Sequence, residues 1–412
     1  MRAVVLAATG GCLSDGAPAR TGDLDVQRDV ATTADLGPDT APPPKTWPRP
    51  CDAIYDQDRL PEFHLAFAAA EWDALTADCE AGTKKYRPVQ FTYQGKTVAA
   101  KARLKGGWSW NCQKMQFVVS FNEDDVHARF RGLRKLSLDA PWYDHTHLHE
   151  RLAFQIFAAR GLPHSCANHA KLFINDSYYG LYSNIEHLDK EYLERNFEES
   201  DGNLYLAANE LKTNEDIGDM RRAGDLKNAT TIAQVAALVD LDETVAEWAV
   251  EAMIPAADNY WAGVEINFYI YDHPSRGFLW LPYDMDAIFG DTLYGDGSPV
   301  FPGVETADPI RWEHAWWGKE PLVQLVLADP TWCERFVDAL RLARAVYVPE
   351  ALAAQIDAWD AQIARAIADD PNKTWTEAQH AAAIEALKKF VRVRADYIDL
   401  WLFVGGHCPA VW

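Results

Sequence analysis

The chain has 412 residues, 48% of them apolar, enough to bury one large core or two closely joined lobes. Its formal charge of -22, from 39 basic against 61 acidic residues, repels a phosphate backbone and argues against nucleic acid as a partner. Any smaller anionic ligand would need a local basic patch or a divalent cation.

At the N-terminus, MRAVVLAATGGCLSDG has one arginine, an apolar run from Ala3 to Ala8 and a cysteine after two glycines. It reads as a shortened lipoprotein export signal with Cys12 as the lipid-anchored residue, which places the protein outside the cell or in the cell envelope. The short apolar run leaves a cytoplasmic protein with a misassigned start as the alternative. Beyond Cys12, six cysteines (Cys51, Cys79, Cys112, Cys166, Cys333, Cys408) allow up to three bridges in an oxidising compartment, and the absence of C-x-x-C argues against zinc. Residues 13–50, rich in Gly, Asp, Thr and Pro, read as a tether.

From Leu60 the pattern becomes periodic. FHLAF predicts a strand, AEWDALTAD a helix, YRPVQFTYQGKTVAAKARLKG two strands around Gly95, and KMQFVVSFN and LRKLSLDA two more. Leu148, Leu152, Ile156 and Phe157 share one face of a helix that stops at Gly161. A hairpin turning at Asn175-Asp176 follows, then a short helix through YLERNF. After Thr230 come two helical segments, IAQVAALVD and ETVAEWAVEAMI, and a second hairpin, NFYIYDHPSRGFLWLPYD. Residues 331–400 read as nearly all helix, with a capping box from Thr376 to Gln379 before the last one. The outline is an α+β chain: export signal and linker over 1–50, a sheet-rich lobe over 51–210, and a mainly helical lobe with an inserted hairpin over 211–412.

The second hairpin ends on two acids, Asp284 and Asp286. If the strand geometry persists past Tyr283, they share a side, and two carboxylates so close favour a hard cation such as magnesium or manganese. Asn267 opens the same hairpin and should face Asp284 across the ladder, with Asp258 close by at the end of the preceding helix. An acid to orient a hydroxyl, an amide oxygen and a metal-holding carboxylate form the set that phosphoryl transfer requires. Helix capping and a hairpin bond are the plainer reading of the same residues.

In order along the chain, ARLKGGWSW, Lys114 before MQFVVSFN, LRKLSLDA, DHTHLHERLA, LFINDSYYGLYSNIEHLD, DGNLYL, the Asp258 to Asn267 segment and LPYDMD resemble the spore-coat protein H (CotH) kinase family over about residues 58–400. The resemblance implies a diverged protein-kinase-like two-lobe fold and ATP-dependent phosphorylation of a protein hydroxyl. It implies Asp258 as the catalytic acid, Asp284 as principal metal ligand, Asn267 beside it and Asp286 completing or bracing the shell. Lys114, paired with Glu186, is the implied nucleotide-facing charge, together with Arg103 and Lys105 before Gly106-Gly107. Leu206 departs from the family, which usually carries a basic residue there; Lys212 is the candidate substitute.

Other readings compete. His145, His147 and His149 read better as a polar helix entrance than as a metal site. An adenylyl transferase, a glycosidase using Asp258 and Asp284, and a non-catalytic extracellular binding protein that kept the frame are the alternatives.

Overall fold

The computed structural model describes residues 47–107, 109–140, 142–290, 302–313, 318–405 and Cys408. The export-like segment, Cys12 and most of the tether lie outside them. Strict alternation builds the first sheet: Val89, Phe91 and Tyr93 point inward from β2 (Arg87–Tyr93) while their neighbours face out. β1 (Glu62–Ala66) pairs with β2 after an intervening helix, α1 (Ala69–Glu80). β3 (Lys96–Lys105), β4 (Gln116–Ser120) and β5 (Lys135–Asp139) continue the antiparallel ladder. After α2 (His149–Ala159), the hairpin of β6 (Ala167–Ile174) and β7 (Ser177–Glu186) returns β7 against β5. β6 then pairs in parallel with β1, so the strands close as a barrel in the order β1-β2-β3-β4-β5-β7-β6. Closure removes both free edges of the sheet. Its interior is filled by Phe63, Leu65, Phe91, Phe117, Leu136 and Leu172, all inaccessible to solvent. The turn falls at Asn175 and Asp176, both with positive φ, as the Asn-Asp pair requires.

A short helix, α3 (Lys190–Asn196), leads to a second sheet with strand order β11-β10-β8-β9. It contains β8 (Asn203–Leu206), β9 (Glu210–Leu211) and the expected hairpin of β10 (Phe268–His273) and β11 (Gly277–Pro282). The hairpin is therefore not a lone insertion among helices. β8 falls within the first lobe as divided from sequence, yet it pairs with β10. Between the strands lie α4 (Arg221–Lys227), α5 (Ile232–Ala236) and α6 (Leu241–Met253), and the chain ends in α7 (Pro321–Ala328), α8 (Pro330–Val346), α9 (Pro349–Ala368) and α10 (Glu377–Val404). The capping box at the start of α10 is formed in both directions between Thr376 and Gln379.

The α9–α10 turn reaches back to the barrel. Asp370 accepts from the Leu181 amide at 2.9 Å, and Asn372 donates to the Tyr179 carbonyl at 2.7 Å. Arg151 of α2 stacks 3.9 Å over the Trp359 ring and donates to Gln362. Three disulfides, Cys51–Cys166, Cys79–Cys112 and Cys333–Cys408, pair the six expected cysteines. No helix among the described residues is long and apolar enough to cross a membrane.

Candidate active site

α6 ends at Met253, and its last carbonyls would be orphaned without a partner. Buried Arg394 of α10 donates to the carbonyls of Ala252 at 2.5 Å and Met253 at 3.3 Å, and also to that of Ala307 at 2.6 Å. The segment that leaves this end carries Asp258, which stands in a loop rather than at the end of the helix. That loop is fastened to the segment following β11 by two backbone bonds, Ala257 to Ala287 at 3.2 Å and Phe289 to Ile254 at 3.0 Å. Asn259 supplies a third clasp. Its buried amide donates to the carbonyls of Asn267 at 2.6 Å and Tyr283 at 2.8 Å, gripping both ends of the β10–β11 hairpin.

With these clasps in place, Asn267 Nδ2 donates to Asp258 Oδ2 at 2.8 Å, and Asp284 stands within the electrostatic reach of Asp258. Burial, then the Asp284 charge, push the Asp258 carboxyl up to about 7 despite the bond from Asn267. β11 ends at Pro282 and Asp284 has φ of 57°, so strand alternation does not carry through to Asp286 as the sequence suggested. A non-glycine residue held in the left-handed region is a place where surrounding structure overrides local preference. Asp286 is held separately, its carbonyl accepting from His149 Nδ1 of α2 at 2.7 Å. The expected polar helix entrance at His145, His147 and His149 thus includes a residue that fixes the acidic turn.

The barrel contributes one carboxylate and one cation, and α2 adds a second carboxylate. Lys105, at the end of β3, forms an ion pair with Asp139 of β5 and donates to Ser137 at 3.0 Å. Burial lowers its ammonium, but Asp139, Asp284 and Glu150 together raise it above its ordinary value. Glu150 of α2 is pushed well up by burial and by Asp139, Asp284 and Asp286. Asp286 is pushed well up by burial and by Asp284, Asp258, Asp144 and Asp139. Burial and Asp139 raise Asp284 against the opposing field of Lys105. Asn259, Asp139, Glu150 and Arg394 were missed in the sequence. Only the tight spacing of Asp258-Asn259 and the acid at the head of an apolar helix hinted at two of them.

The expected pair of Lys114 and Glu186 is not made. Lys114 is buried against Asp370 at 2.5 Å, whereas Glu186 receives Arg195 in a two-pronged contact at 2.9 and 2.7 Å. Arg103 lies 5.4 Å over the Tyr86 ring and donates to the Leu104 carbonyl.

Among the described residues, no three Asp, Glu, His or Cys side chains converge closely enough to hold a metal ion by themselves. The donors still suit a hard cation of the magnesium type, which is commonly held by one or two carboxylates together with phosphate oxygens rather than by a protein cage. Asn267 has its Nδ2 committed to Asp258, which leaves Oδ1 for such an ion beside Asp284.

Gly263 shows how little slack the loop has. Its φ is 104°, and a Cβ there would lie 1.6 Å from the Gly318 carbonyl oxygen. Gly263→Ala should displace the Asp258–Asn267 segment and lower any turnover by about 100-fold, since small misplacements of reacting groups cost that much. Wild-type turnover in this variant would show that the segment does not position the chemistry.

The family model described as CotH kinase protein matches residues 102–398. The inner spore coat protein H of Bacillus subtilis (strain 168) is 24% identical over 214 residues, covering 45% of this chain and 57% of that protein. The chain therefore spans somewhat over half the length of this relative. A structure of the Shewanella oneidensis MR-1 HipA, HipB and operator DNA complex aligns with 66% of this chain and 60% of that one, at 13% identity and a TM-score of 0.29, too low to carry an argument. With nearly three hundred consecutive positions of the barrel, the acidic site and the helical region inside the family match, the chain belongs to the CotH kinase family.

Proposed function

We propose that the protein transfers a phosphoryl group from ATP to a hydroxyl of a protein acceptor, using magnesium or manganese, on a diverged two-lobe kinase-like frame. The observation that carries this reading is the Asp258–Asn267 contact of 2.8 Å, held beside Asp284 by the Asn259 clasp. In this reading Asp258 orients the acceptor hydroxyl and takes its proton, as phosphoryl transfer needs positioning more than covalent chemistry. Asp284 and Asn267 Oδ1 would hold the cation, which neutralises phosphate oxygens when bound. Asp286 braces that turn through its carbonyl bond to His149. Lys105 and Arg103 face the phosphates. We assign Lys114 and Glu186 to holding the frame, because each is already engaged by a buried partner. The three disulfides fit an oxidising compartment, so we place the protein outside the cell or in its envelope.

The test is transfer from gamma-labelled ATP to a generic acceptor protein, with magnesium and then manganese, followed by intact-mass measurement. Label should appear with wild type and vanish in Asp258→Asn and Asp284→Ala. An added adenylyl mass would make the protein an adenylyl transferase. No label and no metal-dependent ATP binding would make it a binding protein on a retained frame.

The pH profile carries a further expectation. A base must be ionised, so kcat/KM should fall as pH drops through about 7, the value to which burial and Asp284 push Asp258 in the free protein. A bound cation offsets the Asp284 charge, so the limb in kcat should lie at lower pH. A kcat/KM profile flat from pH 5 to 8 would remove Asp258 from the role of base.

A further inference from the structure

Shortly after Asp258 in the same loop, Trp261 is gripped by groups from three other elements. The short 3-10 turn Tyr260–Ala262 begins its own bonding with the Ala262 amide, which donates to the Asn259 carbonyl at 3.0 Å. The Trp261 amide therefore needs a partner from elsewhere. Glu251, near the end of α6, supplies it, its Oε2 accepting that amide at 3.2 Å. The indole stacks on Phe336 of α8, with ring centres 4.9 Å apart and planes within 12°. Lys319, from the segment before α7, places its Nζ 3.3 Å from the centre of the Trp261 ring.

Trp261, Glu251 and Lys319 are almost wholly inaccessible, and so is Glu247, one turn before Glu251 on the same face of α6. Two carboxyl groups beside one amine, away from water, are compatible when one acid keeps its proton. Glu247 fits that part. Burial, then the charge of Glu251 and the bond to it, push Glu247 well up. Its Oε2 has no hydrogen-bond partner among the described residues, which a protonated acid tolerates at this depth and a carboxylate does not. Burial raises Glu251 to about 7 against the bonds from Glu247 and the Trp261 amide and the field of Lys319. Lys319 is itself tied down, donating through Nζ to the Trp312 carbonyl and through its amide to Glu313, both at 3.0 Å. Apolar side chains of the same volume would stabilise the fold at least as well. What this cluster adds is a fixed direction for one amide and one ring.

We propose that Glu251 and Lys319 are positioning residues that clamp Trp261 and thereby hold Asp258 in place for the acceptor hydroxyl, with Glu247 bracing Glu251. The catalytic consequence rests on the kinase reading; the clamp on the loop does not.

The experiment combines hydrogen exchange, read by mass spectrometry on the peptide spanning residues 257–268, with turnover of magnesium ATP, both in the full-length protein. Glu251→Leu removes the acceptor and should speed exchange in that peptide about tenfold, the loss of one buried hydrogen bond, while barrel peptides exchange as in wild type. Its kcat should fall about 100-fold, the cost of a small misplacement. The KM for magnesium ATP should change less than about threefold, because Asp284 is held through the bonds of Tyr283 and Phe289 rather than through Trp261. Glu251→Gln keeps an oxygen for the Trp261 amide and should stay within about threefold of wild type in exchange and in kcat. A residue that only filled space would not separate Gln from Leu. Lys319→Met should lower kcat about tenfold. Thermal melting is the folding control, and where Glu251→Leu does not fold, Glu251→Leu/Lys319→Met, which leaves no lysine buried alone, takes its place. Faster exchange with rescue by Gln, but no turnover in wild type, would uphold the clamp and sink the kinase reading. Exchange unchanged in the Leu variant, or equally fast in Leu and Gln, would overturn the clamp even with turnover intact.

Discussion

Asp284→Asn should reduce metal-dependent phosphoryl transfer by about 1,000-fold or more while making the ligand-free protein more stable at neutral and alkaline pH. The loss of activity follows from removing the carboxylate proposed to hold the cation, since neutralising phosphate oxygens is most of what such a site contributes. The gain in stability has an independent cause. Burial and Asp139 raise the Asp284 pKa in the folded protein, so the unfolded chain releases that proton more readily. Its ionisation therefore costs stability as pH rises from the ordinary carboxylate range through the folded value. An amide of the same shape removes that cost, and it also relieves Asp258, Asp286 and Glu150, each raised in part by the Asp284 charge. Lys105 keeps Asp139 as its partner. The melting temperature should rise by about 2 °C or more at pH 8, and the difference should shrink as pH falls toward 4. Equal melting temperatures at pH 8 would show that the acids are not in electrostatic conflict. Full activity would remove Asp284 from metal binding.

Whether a feature could be read in the sequence depended on how local its cause was. The β10–β11 hairpin follows from two alternating runs around His273–Gly277, and nearness of Asn267 to the end of its return strand follows from the pairing of Phe268 with Pro282. The α10 cap needs only Thr376 and Gln379. Barrel closure was hidden because it depends on β1 lying parallel to β6, strands about a hundred residues apart with no periodic signal linking them. β8 and β9 are too short for periodicity to assign them to the second sheet. The positive φ of Asp284 was hidden for another reason: no glycine marks it, and it is imposed by the surrounding bonds of Asn259, Ala257 and Phe289. Charge pairing was the least legible. Lys105 and Lys114 bracket the same loop with the same side chain, and only the tertiary structure sends one to Asp139 and the other to Asp370.

The second of those pairs gives the largest expected effect on stability. Lys114 and Asp370 are 256 residues apart in sequence and almost wholly inaccessible, and Asp370 Oδ2 also accepts from the Leu181 amide at 2.9 Å. Lys114→Met should therefore cost about 3–5 kcal/mol, because it leaves a buried carboxylate with no cation to offset it. The double variant Lys114→Met/Asp370→Asn should recover most of that loss, since a neutral amide can stay buried where a lone charge cannot. If Lys114 instead contacts the nucleotide, the double variant would regain stability but lose ATP affinity about tenfold or more. Chemical denaturation of wild type, both single variants and the double variant, combined with ATP titration of those that fold, separates the two roles. Coupling of several kcal/mol with unchanged ATP affinity is the expected result, and it would leave the nucleotide-facing charge to Lys105 and Arg103. Weak coupling with impaired ATP binding would return Lys114 to the site and make Asp370 the residue that aims it.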